Sequence, residues 1–195
     1  ADVDLKQIEG SISSLAQKFP DRIDVKDDKK FIGIDAYQKL IDSGVDVVLL
    51  TSTPAFRPQH LKAAIAAGKH VFCEKPVAVD PVGARSVIAT GEKAAAKGLA
   101  VVTGTQRRHM ADYLRNKALI DAGAIGQIKG GVVQWNGTVP WTKRRNEGES
   151  DASYMTRNWL NFTELSGDHI VEQHVHNLDV AVWYLGRLPV TAVGF

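Results

Sequence analysis

Residues 66–76 read Ala66-Ala67-Gly68-Lys69-His70-Val71-Phe72-Cys73-Glu74-Lys75-Pro76. The glycine terminates a helix in the usual way, His70 to Cys73 has the length and apolar character of a buried strand, and Glu74-Lys75-Pro76 is a polar turn that ends it. The same order recurs on either side. Upstream, Val45 to Leu50 is an apolar run broken only by Asp46; Thr51-Ser52-Thr53-Pro54 closes it, and a helix over about Pro58 to Ala67 follows. Downstream, an Ala-rich helix from Pro81 to Lys97 stops at Gly98, and Leu99 to Thr103 is the next apolar strand. At the start, Leu5, Ile8, Ile12, Leu15 and Phe19 recur at helical spacing behind Asp4, which with Gln7 fits a capping box. Strand and helix alternate, so the expected fold is α/β, with an incomplete Rossmann-type parallel sheet.

The pattern changes after Gly104. A helix over about Met110 to Ala122 is followed by a strand-like stretch, Gly126 to Trp135. Residues 136–166 are polar and aromatic with few periodic signals, and helical spacing returns over Glu172 to Leu185 through Val175, Leu178, Val182 and Leu185. The alternation of strand and helix is therefore expected to end near residue 106, with α+β structure over 107–195. The first residues resemble a strand's end and Val190 to Phe195 is strand-like. The chain is therefore expected to be a fragment cut inside both domains.

Composition narrows the function. The 195 residues carry 24 Lys+Arg against 22 Asp+Glu, a formal charge of +2, and 44% are hydrophobic. That is globular, and without a basic face neither nucleic acid nor an anionic membrane is the expected partner. No apolar run spans a bilayer, and one cysteine, Cys73, excludes an internal disulfide framework.

Parallel sheets bind ligands beyond the carboxyl ends of their strands. Asp2, the Thr51 to Pro54 turn and Glu74-Lys75 lie at such ends. An acidic residue closing the second strand of a dinucleotide fold accepts hydrogen bonds from the adenosine ribose and repels a phosphate there, so Asp2 points to NAD over NADP; a polar residue preceding a helix explains it equally well. Further on, Glu172 and His176 are four apart, on one face of a helix and within reach of each other. A carboxylate beside an imidazole orients it and raises its basicity, which suits a general base. His169, His174 and His176 near Glu172 and Asp168 invite a metal, but on a helix His174 and His176 point apart, so no metal is expected.

The 66–76 stretch closely resembles the signature of the glucose-fructose oxidoreductase, inositol dehydrogenase and MocA-like (Gfo/Idh/MocA) family. The segment from Ser166-Gly167-Asp168 through Glu172, His176 and Asp179 to Trp183-Tyr184-Leu185-Gly186 is similar to its second-domain motif, with Glu172 where the family has Asp and Ser166 where it has Gly. Asp35-Ala36-Tyr37 through Val48, and Arg107-Arg108 through Gly126, match as well. The resemblance implies a dinucleotide-binding domain over 1–106, the start of an α+β substrate domain with an open sheet over 107–195, and an NAD-dependent dehydrogenase acting on a CH–OH group of a carbohydrate or polyol. Lys75, Glu172 and His176 would be catalytic, Asp2, Ser52, Pro54, Arg57, Glu74 and Lys75 would face the cofactor, and Arg157, Trp159 and Asp179 the substrate. Arg57 departs from the family's usual His and is expected to meet the cofactor through a charge-assisted hydrogen bond. The family's G-x-G-x-x-G turn should precede Asp2 and is not in the sequence. The resemblance further implies a cytoplasmic homo-oligomer, with a secretion signal upstream left open. It admits two other activities: transient sugar oxidation giving glycoside cleavage or epimerisation, and an inactive NAD- or sugar-binding relative.

Overall fold

The structure, a computed structural model, describes residues 1–138 and 140–194, grouped in two compact units. The first holds Ala1–Ser52, Phe56–Cys73 and Pro81–Val102. Its sheet runs in the order β1 (Val47–Leu50), β2 (His70–Cys73), β3 (Val101–Thr103). β1 and β2 pair in parallel with Val47 opposite His70 and Leu50 opposite Cys73, and Val71 N–H donates to Ala100 O at 2.9 Å on the other side. Because β1 and β2 end together, both chains leave the sheet at one carboxyl edge. That is where a parallel sheet of this kind presents its ligand-binding turns.

Helix α1 (Leu5–Lys18) begins at Asp4, whose carboxylate accepts the Lys6 N–H at 2.9 Å, so the cap is made one residue earlier than a capping box with Gln7 would make it. The expected strand before it is a single parallel bridge, Asp2 to Ile32. After α2 (Ala36–Asp42), helix α3 (Arg57–Ala66) buries Leu61, Ala64 and Ile65 at spacings of three and four and packs against the sheet and against α4 (Pro81–Ala96), which buries Thr90 and Ala94. Lys97 donates from Nζ to the carbonyl of Ile65 at 3.0 Å, placing a cation at the C-terminal end of α3. Alternation in β1 buries Val48 and Leu50 and leaves Val47 and Leu49 at 54% and 66% exposure.

The second unit holds Thr53–Ala55, Glu74–Asp80 and the residues from Thr103 onward. Helix α5 (Ala111–Asp121) forms as expected. The strand expected over 126–135 does not: those residues have no regular structure, and Val132 is 84% exposed. A strand requires a neighbour to pair its N–H and C=O groups, and none pairs with this stretch among the described residues; Gly130 and Gly131 weaken it further. Residues 190–194 likewise have no regular structure, and Phe195 lies outside the described residues.

The long segment is more ordered than its composition suggests. It carries α6 (Asp151–Arg157), capped by Ser150, and α7 (Thr163–Ser166). Asn158, 1% exposed, accepts the Lys143 N–H at 2.5 Å and donates to the Lys143 carbonyl at 3.1 Å, which ties the approach to α6 onto its end. Arg145 pairs with Asp151 and lies over the Tyr154 ring. A π-helical turn, Ile170–His174, then runs into α8 (Val175–Leu185), so the expected helix over 172–185 starts as a wider coil. Among the described residues no helix is long and apolar enough to cross a membrane.

Candidate active site

Lys75 stands immediately after β2, in a turn whose Lys75-Pro76 peptide is cis. Its Nζ donates to Glu172 Oε1 at 2.6 Å and to the Glu172 carbonyl at 2.8 Å, joining groups 97 residues apart. Both side chains are largely buried, at 17% and 8% exposure. An ammonium has three donors, and two are engaged here.

Two features hold Glu172 in place. The π turn shifts it out of the regular register of α8. Ahead of it, Gly167 and Asp168 both adopt left-handed backbone, with φ of 76° and 64°. Ser166, buried at the end of α7, donates from Oγ to the Phe162 carbonyl and accepts the Asp168 N–H, both at 3.0 Å. The serine that replaces the family's glycine is thus a built part of this turn.

His176, on the first turn of α8, is 8% exposed. Neither ring nitrogen makes a hydrogen bond among the described residues. Its ring stacks on Trp135 instead, with centroids 5.3 Å apart and planes at 21°. No hydrogen bond joins it to Glu172. The α-helical spacing that would bring residues four apart together is lost in the wider π turn, and Glu172 is committed to Lys75. Burial, then the positive charges of Lys75 and Arg107, hold the imidazole below its ordinary pKa, with Glu74 and Asp179 acting in the opposite sense. The imidazole is therefore neutral at neutral pH, with an accepting nitrogen.

Asp179 is one turn further along α8. Arg108 grips it through Nε at 2.9 and 3.0 Å and through Nη2 at 2.8 Å, and the pair keeps the guanidinium firmly protonated. Arg108 also lies over Trp183, 5.4 Å from the ring centroid. Glu74 folds back so that its Oε2 accepts the Lys75 N–H at 3.0 Å. Gly104 makes that possible, because a Cβ there would lie 2.7 Å from the Glu74 Cδ and 3.1 Å from its Cα.

The other expected residues are placed as follows. Ser52 Oγ shares a hydrogen bond with His60 Nδ1 at 3.1 Å, and His60, stacked on Tyr37, is held below its ordinary pKa by burial. Arg57, only 4% exposed, donates from Nε to the Ser52 carbonyl at 2.9 Å, so its guanidinium shapes the end of β1. Pro54 is buried, and Asp2 is exposed, its carboxylate accepting the Asp4 N–H at 3.1 Å. Arg157 is turned into its own segment: its Nε and Nη2 both meet Glu149 at 2.6 Å, which lowers the Glu149 carboxyl to about 2. Trp159 packs edge-on against the half-exposed Trp141, 6.2 Å away. Cys73 is buried. Among the described residues no group of three or more His, Cys, Asp or Glu is arranged to hold a metal ion.

Trp135, Arg107 and Arg108 carry the site's geometry, yet spacing alone did not point to them. Trp135 sits in a segment without regular structure, where periodicity is silent, and Arg107 and Arg108 are marked in the sequence only by the resemblance to the family's passage between domains.

Residues 3–103 match the family described as "Oxidoreductase family, NAD-binding Rossmann fold" (GFO_IDH_MocA). Inositol 2-dehydrogenase 3 of Saccharopolyspora erythraea is 37% identical over 131 residues, covering 65% of this chain and 38% of that protein. Inositol 2-dehydrogenase of Acidothermus cellulolyticus is 32% identical over 156 residues, covering 78% of this chain and 43% of that protein. The crystal structure of apo scyllo-inositol dehydrogenase from Lactobacillus casei matches with a TM-score of 0.53 at 25% identity, covering 77% of this chain and 39% of that one. The chain thus spans about two-fifths of the length of these relatives. With more than half of its residues matching the family and a parallel sheet of the expected kind, the chain belongs to the Gfo/Idh/MocA family of oxidoreductases.

Proposed function

We propose that the protein is an NAD-dependent dehydrogenase that oxidises a CH–OH group of a polyol or carbohydrate, with His176 as general base and Lys75 as the group that stabilises the reacting oxygen. The observation that carries this is the joining of Lys75 to Glu172 across 97 residues beside a buried, neutral imidazole with uncommitted nitrogens. His176 takes the hydroxyl proton. Lys75 keeps one N–H for the oxygen on which negative charge develops, while Glu172 aims the ammonium. Bound NAD supplies the acceptor for the hydride that leaves the same carbon. In the reverse direction His176 returns the proton.

The cofactor fits the residues present. Ser52 and Pro54 follow β1, Glu74 and Lys75 follow β2, both at the carboxyl edge of a parallel sheet, and the exposed Asp2 carboxylate is of the type that binds a ribose and disfavours a 2′-phosphate, favouring NAD over NADP. Arg57 serves by fixing the Ser52 backbone. Asp179, held by Arg108, and Trp159 are the groups for substrate hydroxyls and ring faces, whereas Arg157 orders the segment that bears Trp159. In this account residues 1–106 hold the cofactor and 107–195 begin the substrate domain. Cyclitols of the inositol type lead the substrate panel because the named relatives are inositol dehydrogenases. A cytoplasmic homo-oligomer is the accompanying expectation, to be checked by fractionation and by mass in solution.

The test is NADH formation by the intact protein on a panel of inositols and sugars. Substrate-dependent NADH that is lost in both His176→Ala and Lys75→Met, with NAD affinity retained in His176→Ala, supports the assignment. Wild-type turnover in either variant overturns it, and product formed at constant NADH would replace net oxidation by transient oxidation.

A further inference from the structure

We propose that Trp135 is a positioning residue for the His176 imidazole, and that Arg107 in turn fixes the indole. The proposal rests on the assignment of His176 as the base and deepens it. A buried catalytic imidazole usually takes its orientation from a hydrogen bond to its far nitrogen. His176 has none among the described residues, so its ring plane depends on what it stacks against. Trp135 is that surface, at 5.3 Å and 21°, an offset aromatic stack.

The indole is itself restrained from two sides. The Arg107 guanidinium lies over it, 5.5 Å from the centroid, and also over Tyr113 at 5.6 Å. Arg107 Nη1 is buried without a hydrogen-bond partner, so aromatic contacts hold that end of the guanidinium. The neighbouring Gln134 carbonyl accepts a hydrogen bond from Asn177, the residue after His176, which ties the Trp135 backbone to α8. Gly137 leaves room for the ring, because a Cβ there would lie 3.1 Å from Trp135 Nε1. A tryptophan on a segment without regular structure is thus set against the base by an arginine, an asparagine and a glycine.

The charged groups facing the imidazole are Lys75 and Arg107, which oppose its protonation, and Glu74 and Asp179, which favour it. Glu172, close by in sequence, is committed to Lys75. Removing the Arg107 charge should therefore let His176 protonate at a higher pH, while removing the indole should free the ring to rotate.

The experiment uses the intact protein labelled at histidine, with the His176 resonance assigned from its loss in His176→Gln, followed by NMR across a pH titration and by kinetics in parallel. Trp135→Ala should broaden or split the His176 signal and lower kcat/KM by roughly 10- to 100-fold with NAD affinity unchanged, and Trp135→Phe should restore both. Arg107→Met should raise the pH at which His176 titrates and move the acidic limb of kcat/KM the same way. If Trp135→Ala does not fold, Trp135→Leu, which keeps apolar bulk without an aromatic plane, stands in for it. A single sharp His176 signal in the aliphatic variant, or a titration unmoved in Arg107→Met, overturns the proposal. If the wild type oxidises no polyol, the dehydrogenase assignment fails while the NMR titration still decides the role of Trp135 and Arg107.

Discussion

Cutting the Lys75–Glu172 pair from either side should cost unequal amounts, and the inequality can be worked from the geometry. The contact is 2.6 Å between side chains 17% and 8% exposed. Removing one member of such a pair strands a charge where water reaches it poorly, a loss of about 3–5 kcal/mol for fully buried pairs; the residual exposure of Lys75 places Lys75→Met at about 3 kcal/mol. Glu172→Gln is milder, because the ammonium keeps the Glu172 carbonyl at 2.8 Å and can donate to the new amide oxygen, so only the charge-assisted part, about 2 kcal/mol, is lost. The double variant leaves no stranded charge and should resemble Glu172→Gln alone, giving a coupling of about 3 kcal/mol. For a chain of this size, about 2–4 °C per kcal/mol puts Lys75→Met at about 6–12 °C below the wild type in Tm. Urea denaturation of the four proteins closes the cycle. Effects that add to within about 0.5 kcal/mol would refute the buried pair as the element joining the strand-end turn to the π turn.

Three further outcomes follow from the same geometry. Gly167→Ala should destabilise by at least about 1–2 kcal/mol, since φ is 76° and the new Cβ would lie 2.7 Å from that of Val171; an unchanged Tm would count against the turn as drawn. Gly104→Ala should displace the Glu74 side chain and lower NAD affinity with little change in fold, as read by fluorescence titration and circular dichroism. His60 and His176 both have folded pKa values below the unfolded one. The unfolded chain therefore binds protons first, so their contribution to stability is full above about pH 6.5 and shrinks as pH falls below that. Replacing both by Gln should flatten the urea midpoint across that window.

The parallel order of β1 and β2 and the helices after them were legible because periodicity, glycine stops and strand-end turns all agree there. Lys75, Glu172 and His176 stand out in the sequence as candidate groups, but their pairing does not. A π turn changes which residues meet, and nothing in the spacing of Glu172 and His176 announces one. Contacts across long separations were equally hidden: Trp135 on His176 and Arg108 on Asp179 depend on how an irregular segment and α8 come together. The strand expected over 126–135 had the right residues and no partner, a reminder that β structure is a property of pairs. In the segment 136–166, order comes from side chains such as Asn158 and Arg157 bonding to backbone and carboxylate, which hydrophobic pattern does not register.

His176 is proposed as the base, kept neutral by burial and by the cations beside it. The most direct measurement is the pH dependence of kcat/KM for substrate-dependent NADH formation, wild type against His176→Gln, alongside NAD affinity at each pH. The wild type should show an acidic limb below the ordinary histidine value, matching the His176 titration, and the variant should lose that limb with most of the activity while NAD still binds. An acidic limb of unchanged position and a comparable rate in His176→Gln would contradict it.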